Sequence, residues 1–198
     1  RAGLWSHLLA LGFIRDPFAV EDLEAFNAWL GRRVEQWNEA TKLGDDAPYY
    51  VRAANERGSH STFLAVQVGD DHWSAIAVGD TCLLQIREGE LIGSFPINDP
   101  EHFDFTPNLI STVSAPSDVR QAKGAFRAGD VLLGITDAGA EWLLRARSDN
   151  ADVIRRLASA SLSSLDRLVR EERHSGALRN DDVAVVRCLG SNSLDRVA

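Results

Sequence analysis

Methionine is absent from all 198 residues, cysteine occurs only twice, and no apolar run reaches the roughly 18 to 20 residues of a membrane-spanning helix. The first 15 residues lack the build of a secretory signal. Cys82 and Cys188 stand far apart in strand-like runs with no CxxC spacing, so no disulfide framework is expected. Both are expected to pack in the core, and the sparse thiols suit a reducing, cytoplasmic location. A chain of this length that opens on Arg1 without a methionine is expected either to begin inside a longer protein or to be missing methionines of its own. Positive charge is also short: 21 Lys and Arg against 29 Asp and Glu give a net charge of -8, which argues against a nucleic-acid partner.

Several catalytic motifs are missing as well. The five histidines form no HxxxH or HExxH pair, which disfavours a zinc hydrolase. There is no P-loop and no G-x-S-x-G elbow; Gly58-Ser59-His60-Ser61 precedes a strand instead of joining a strand to a helix. The tryptophans at 5, 29, 37, 73 and 142 fall on apolar stripes or strands and are expected in the core.

The chain carries the patterning of one α+β domain over residues 1–198, with no repeat or low-complexity segment. A helix is expected over residues 4–11. A second is expected to start at Asp16-Pro17, a capping acid before a proline, and to run to about residue 42 with Leu23, Phe26, Leu30, Val34 and Trp37 on one stripe. A turn-rich loop over 44–61 holds a short helix at 49–55. Strands are expected over 62–68, 72–78, 81–87 and 90–94, with Gly69-Asp70-Asp71 and Gly79-Asp80 as hairpin-like turns between neighbours. A long connection over 95–117 contains a short strand near 109–113. After it come a strand over 131–136, helices over 139–146, 151–160 and 162–174 with Gly176 as a stop, and a last strand over 183–189.

Acids at strand ends carry the chemistry. Asp137 sits where the aliphatic run Val131-Leu132-Leu133-Gly134-Ile135-Thr136 gives way to a helix, and Asp181 opens the final strand. Carboxylates at the ends of rigid strands are suited to Mg²⁺ or Mn²⁺, and two such ions about 3.5 to 4 Å apart can hold a phosphate and lower the pKa of a water. The plainer alternative is that both acids cap a helix or a turn. Asp80, in Gly79-Asp80, has ordinary turn chemistry as its alternative. Asp130 lies at the opposite end of the Asp137 strand and is not expected to share a metal with it.

Taken in order, these segments resemble the metal-dependent type 2C protein phosphatases, in a bacterial branch. The residues that carry the resemblance are Ser59-His60-Ser61-Thr62, Val78-Gly79-Asp80-Thr81, Ile86-Arg87-Glu88-Gly89-Glu90, Gly129-Asp130-Val131-Leu132-Leu133-Gly134-Ile135-Thr136-Asp137 and Asn180-Asp181-Asp182-Val183-Ala184-Val185. Ala138 stands where the family's pattern commonly has glycine, and Thr81 where it commonly has serine. The resemblance implies an α+β fold, a two-layer antiparallel β-sandwich flanked by helices. It also implies two Mn²⁺ or Mg²⁺ ions with Asp137 and Asp181 as ligands, and a third ion at Asp80. The implied reaction is hydrolysis of phosphoserine or phosphothreonine by a metal-bridging water. A phosphoprotein, the product of a Ser/Thr kinase, is then the expected partner, with neither nucleic acid nor membrane. The family's first strands, with an acid and a metal-bridging Asp-Gly pair, would precede Leu4. Two alternatives stay open: a regulatory or partner-binding module of the same fold without a competent centre, and a phosphatase of non-protein esters.

Overall fold

The computed structural model describes residues 2–103, 106–149 and 151–190. The elements run α1 (Ala2–Arg15), α2 (Leu23–Ala40), α3 (Tyr49–Glu56), β1 (His60–Ser61), β2 (Phe63–Val68), β3 (His72–Val78), β4 (Cys82–Arg87), β5 (Glu90–Phe95), β6 (Ile110–Ser111), β7 (Arg120–Ala125), β8 (Val131–Ile135), α4 (Asp137–Asp149), α5 (Ala151–Ser159), α6 (Leu162–Ser175) and β9 (Val185–Leu189). Antiparallel pairings and helices make this the α+β class expected from the sequence. The chain forms two compact units. One comprises Arg1–Gln67, Ser74–Gly79 and Asn108–Ala122; the other comprises Val68–Trp73, Asp80–Pro107 and Lys123–Ala198.

The first unit is built on aromatic residues. Trp5, Phe26, Trp29 and Trp37 are buried, and Phe18 and Phe63 close over them. Phe13, Phe18, Phe26 and Phe63 surround Trp29 at centroid distances of 5.1 to 6.4 Å, in stacked, tilted and edge-to-face ring contacts. Phe26, Leu30 and Trp37 of the expected stripe are buried, with Trp29 beside them as expected, whereas Leu23 is exposed and Arg33, outside that stripe, lies inside. The helix therefore faces inward about a Phe26–Trp29–Arg33–Trp37 line, and the Arg33 guanidinium stacks over Trp29 at 5.6 Å.

The expected helix start at Asp16-Pro17 is displaced. Asp16 ends α1, its amide donating to the Gly12 carbonyl at 2.9 Å, and its carboxylate accepts from Arg32 at 2.9 Å and Arg33 at 3.2 Å. The proline that follows disfavours helical backbone at position 16, so α1 stops there. The cap of α2 is Asp22, whose Oδ1 accepts from the amides of Glu24 at 2.9 Å and Ala25 at 3.0 Å. Asp22→Ala is expected to lower unfolding stability by about 1 kcal/mol, read as a shift in the urea midpoint at unchanged slope. An unchanged midpoint would show that the cap contributes nothing.

Gly69-Asp70-Asp71 joins the neighbours β2 and β3 as expected, but the other turn differs. Gly79-Asp80 does not join hydrogen-bonded neighbours: β3 lies in a three-stranded sheet ordered β2-β3-β7, and β4 in a four-stranded sheet ordered β5-β4-β8-β9. Gly79 takes φ +101°, and a Cβ there would lie 2.8 Å from the Asn108 carbonyl oxygen, so glycine is required where the chain changes sheet. Strand β7 lies where no strand was expected. The short strand expected near 109–113 is β6, which pairs with β1; residues 104 and 105 of the same connection lie outside the described residues.

In the second unit, β4 pairs antiparallel with β8 through Cys82↔Ile135 to Ile86↔Val131, and β8 with β9 through Val131↔Leu189 to Ile135↔Val185. Leu84, Ile86, Leu133 and Ile135 pack with Trp142, Leu143, Ile154 and Leu168 from the helices. Cys82 belongs to this core as expected, but Cys188 is exposed, since it sits on β9, the edge strand of its sheet.

Candidate metal centre

The β4–β8 register fixes where the candidate acids emerge. Cys82 pairs with Ile135; Asp80 lies two residues before the one and Asp137 two residues after the other, so both leave the same end of the sheet. Ile135 also pairs with Val185, and Asp181 lies four residues before it, which brings the start of β9 to that end too. Thr136 secures the junction. Its amide donates to the Ala184 carbonyl at 3.2 Å, its hydroxyl donates to the Asp182 carbonyl at 3.1 Å, and the hydroxyl oxygen accepts from the Ala184 amide at 3.1 Å. A threonine one residue before Asp137 thus ties the Asp181-Asp182 segment to the end of β8.

Asp137 is the first residue of α4, where the unpaired amides and helix dipole favour a negative charge. Its carboxylate is held by Arg179, a residue the sequence reading did not single out. Each guanidinium nitrogen of Arg179 faces a different acid: Nη2 the Asp137 carboxylate, Nη1 the Glu141 Oε2 at 3.3 Å and Nε the Asp181 Oδ2 at 3.7 Å. Asp137 and Asp181, 44 positions apart, therefore share one cation. Glu141, one turn along α4 from Asp137, is also bound by Arg145 through Oε1 at 3.1 Å. The only hint of Arg179 in the sequence was a basic residue two places before Asp181.

The loop that carries Arg179 is itself built. Gly176 ends α6 with φ +81°, the left-handed conformation expected of a glycine stop. The Leu178 amide then donates to the Glu172 carbonyl at 3.1 Å while its side chain is buried in the core, which directs Arg179 toward α4. Arg173 donates to the Asp181 carbonyl. Among the described residues, no three His, Cys, Asp or Glu side chains gather closely enough to enclose a metal ion by themselves. The donor chemistry nevertheless fits a hard divalent cation: Asp137 and Asp181 are carboxylates that reach a common positive group, with Glu141 beside them.

Asp80 is half-buried at the same sheet end, and its carbonyl accepts a weak bond from the Cys82 thiol at 3.4 Å. Burial pushes that thiol up to about 12, so Cys82 supplies no thiolate at neutral pH. Asp130 takes no part in this end of the sheet, as expected. It is buried at the start of β8, where Arg87 grips it in a fork at 2.7 Å through both Nε and Nη2.

No protein-family model and no curated protein matches the sequence. Solved structures do. The fold is similar to the Mycobacterium tuberculosis serine/threonine phosphatase PstP/Ppp, with TM-score 0.63 and 15% identity over 96% of this chain and 83% of that one. It is similar to PppA of Pseudomonas aeruginosa, with TM-score 0.61 and 16% identity over 92% of this chain and 77% of that one. A third is the catalytic domain of the phosphatase PstP in complex with two manganese ions, with TM-score 0.59 and 16% identity over 93% of this chain and 80% of that one. The chain has the type 2C phosphatase fold.

Proposed function

We propose that this protein hydrolyses phosphoserine and phosphothreonine esters of proteins at a divalent-metal centre that includes Asp137 and Asp181, with Asp80 beside a third ion. The observation that carries the reading is the convergence of Asp137 and Asp181 on one cation at a single sheet end. The fold supports it: one solved phosphatase of this fold holds two manganese ions. When bound, Mn²⁺ or Mg²⁺ would acidify a water and neutralise charge on the phosphoryl oxygens.

The chain's own residues hold the acids. The end of β8 fixes Asp137 against the α4 N-terminus, and Thr136 fixes the backbone that carries Asp181 and Asp182. Preorganised carboxylates of this kind lose little freedom when they take up a cation. A phosphoprotein made by a Ser/Thr kinase is the substrate this reading implies. The net charge of -8 argues against a nucleic-acid partner. No helix among the described residues is long and apolar enough to cross a membrane, and a cytoplasmic site of action is part of the proposal.

One observation favours a second reading. Arg179 already neutralises Asp137, as it would in a regulatory module of this fold that has no working centre. Hydrolysis of a phosphoaryl ester and of phosphoserine and phosphothreonine peptides by the intact protein, with Mn²⁺ and with a chelator, separates the two. Turnover that requires Mn²⁺ supports the phosphatase. Rates equal to buffer at every Mn²⁺ concentration would leave the module.

A further inference from the structure

Arg179 stands between the two acids proposed as metal ligands, and its placement is specific. Three carboxylates, two from α4 and one from the loop before β9, meet the three nitrogens of one guanidinium. Arginine's planar fork suits this better than lysine's single ammonium. The loop is held from both sides of Arg179, by the buried Leu178 before it and by the Arg173 bond to the Asp181 carbonyl after it. The side chain itself is 37% exposed, so it can swing toward water without opening the core.

We propose that Arg179 is an internal competitor of the divalent cation. In the metal-free protein its guanidinium neutralises Asp137 and Asp181, and metal loading requires it to release them. This inference rests on the reading of Asp137 and Asp181 as metal ligands. A guanidinium offers these acids one positive charge and directed hydrogen bonds; a divalent ion offers two charges but must shed water to bind. The two cannot use the same carboxylate oxygens together. Arg179 thus lowers the apparent metal affinity and makes occupancy depend on the divalent-ion concentration. It also keeps two like charges from facing each other uncompensated when no ion is bound.

Glu141 sharpens the role of Arg179. Its other oxygen is retained by Arg145, so Glu141 stays paired after Arg179 leaves and gives the released guanidinium an alternative anchor. On loading, Arg179 withdraws toward Glu141 and frees Asp137 and Asp181. Arg179 acts on the centre only through the acids it holds and releases.

The test is Mn²⁺ binding by isothermal titration, with free Mn²⁺ followed by electron paramagnetic resonance, on the intact protein, Arg179→Gln, Arg179→Lys and Arg179→Gln/Asp137→Asn. Arg179→Gln is expected to bind Mn²⁺ at least tenfold more tightly than the wild type, and Arg179→Lys to fall between them. The double variant is expected to lose that gain. In the metal-free state Arg179→Gln is expected to melt at a lower temperature, and saturating Mn²⁺ to restore more of its melting temperature than it adds to the wild type. Equal affinity in wild type and Arg179→Gln, with binding lost in the double variant, would overturn the competitor and leave the metal centre standing. Weaker binding by Arg179→Gln would make Arg179 a scaffold for the ligands and also overturn it. Mn²⁺ binding absent from all four proteins, or unaffected by Asp137→Asn, would overturn the metal centre and the competitor with it. Should Arg179→Gln fail to fold, Arg179→Lys alone decides by binding more tightly than the wild type or not.

Discussion

Asp137→Asn is expected to lower the Mn²⁺-dependent rate of phosphoester hydrolysis about a hundredfold or more while leaving the fold intact. Asparagine keeps the size and shape of the side chain but removes its negative charge, replacing one carboxylate oxygen with an NH2 that donates and cannot ligate a cation and leaving a neutral carbonyl oxygen as a weaker ligand. A hundredfold in rate is about 2.7 kcal/mol of transition-state stabilisation. The plainer role of Asp137, as an acid at the first position of α4, accounts for much less: a charge there stabilises a helix by about 0.3–1 kcal/mol. The two roles therefore separate by measurement. A metal ligand loses activity far out of proportion to the change in its urea midpoint, and a helix-terminal acid loses a little stability and no activity. Turnover equal to wild type in Asp137→Asn would remove Asp137 from the chemistry.

That Asp137 could be singled out from sequence follows from the locality of its signal. An aliphatic run ending in Thr136, followed at once by helical spacing through Trp142, Leu143 and Leu144, marks the junction of β8 and α4 without knowledge of any partner. Gly176 was legible for the same reason, since a glycine after basic residues is a local stop. Arg179 was not. A loop arginine carries no periodicity, and its role depends on acids brought close by the β8–β9 register and by α4. Strand β7 was hidden because Arg120-Gln121-Ala122-Lys123-Gly124-Ala125 lacks alternating apolar residues, and its place is set by the neighbour β3. Gly79-Asp80 has the composition of a hairpin turn, but whether the chain pairs back or changes sheet depends on contacts such as that of Gly79 with Asn108. Cys188 has an apolar surround in sequence, yet lies on the exposed side of an edge strand. Local chemistry marked which acids lie near strand ends; long-range pairing decided what faces them.

The largest effect on stability is expected at the other end of β8. Asp130 is 1% exposed and accepts from Arg87 through both oxygens, from Gln85 Nε2 at 2.9 Å and from the Arg127 amide at 2.9 Å. Gln85 is in turn held by Trp73, whose indole donates to Oε1 at 2.9 Å. Asp130→Ala removes the acceptor and leaves Arg87, Gln85 and the Arg127 amide without it, and loss of one partner from a buried pair costs about 3–5 kcal/mol. The lower end applies, because Arg87 keeps 28% of its side chain in contact with water and can turn outward. Asp130→Asn retains an oxygen and the shape, and is expected to cost less. Acid supplies an independent check. The Arg87 hydrogen bonds, helped by those from Arg127 and Gln85 and opposed by burial, hold the Asp130 carboxyl below the usual carboxylate range. A group whose folded pKa is depressed contributes its stability above the unfolded value, about 3.9 for aspartate, and loses it as pH falls through the folded value. The stability gap between wild type and Asp130→Ala, measured by urea unfolding at a series of pH values, is therefore expected to be full at neutral pH and to narrow only below about pH 4. A gap that stays constant into that acid range would show that the ionised Asp130–Arg87 pair is not what the substitution removes.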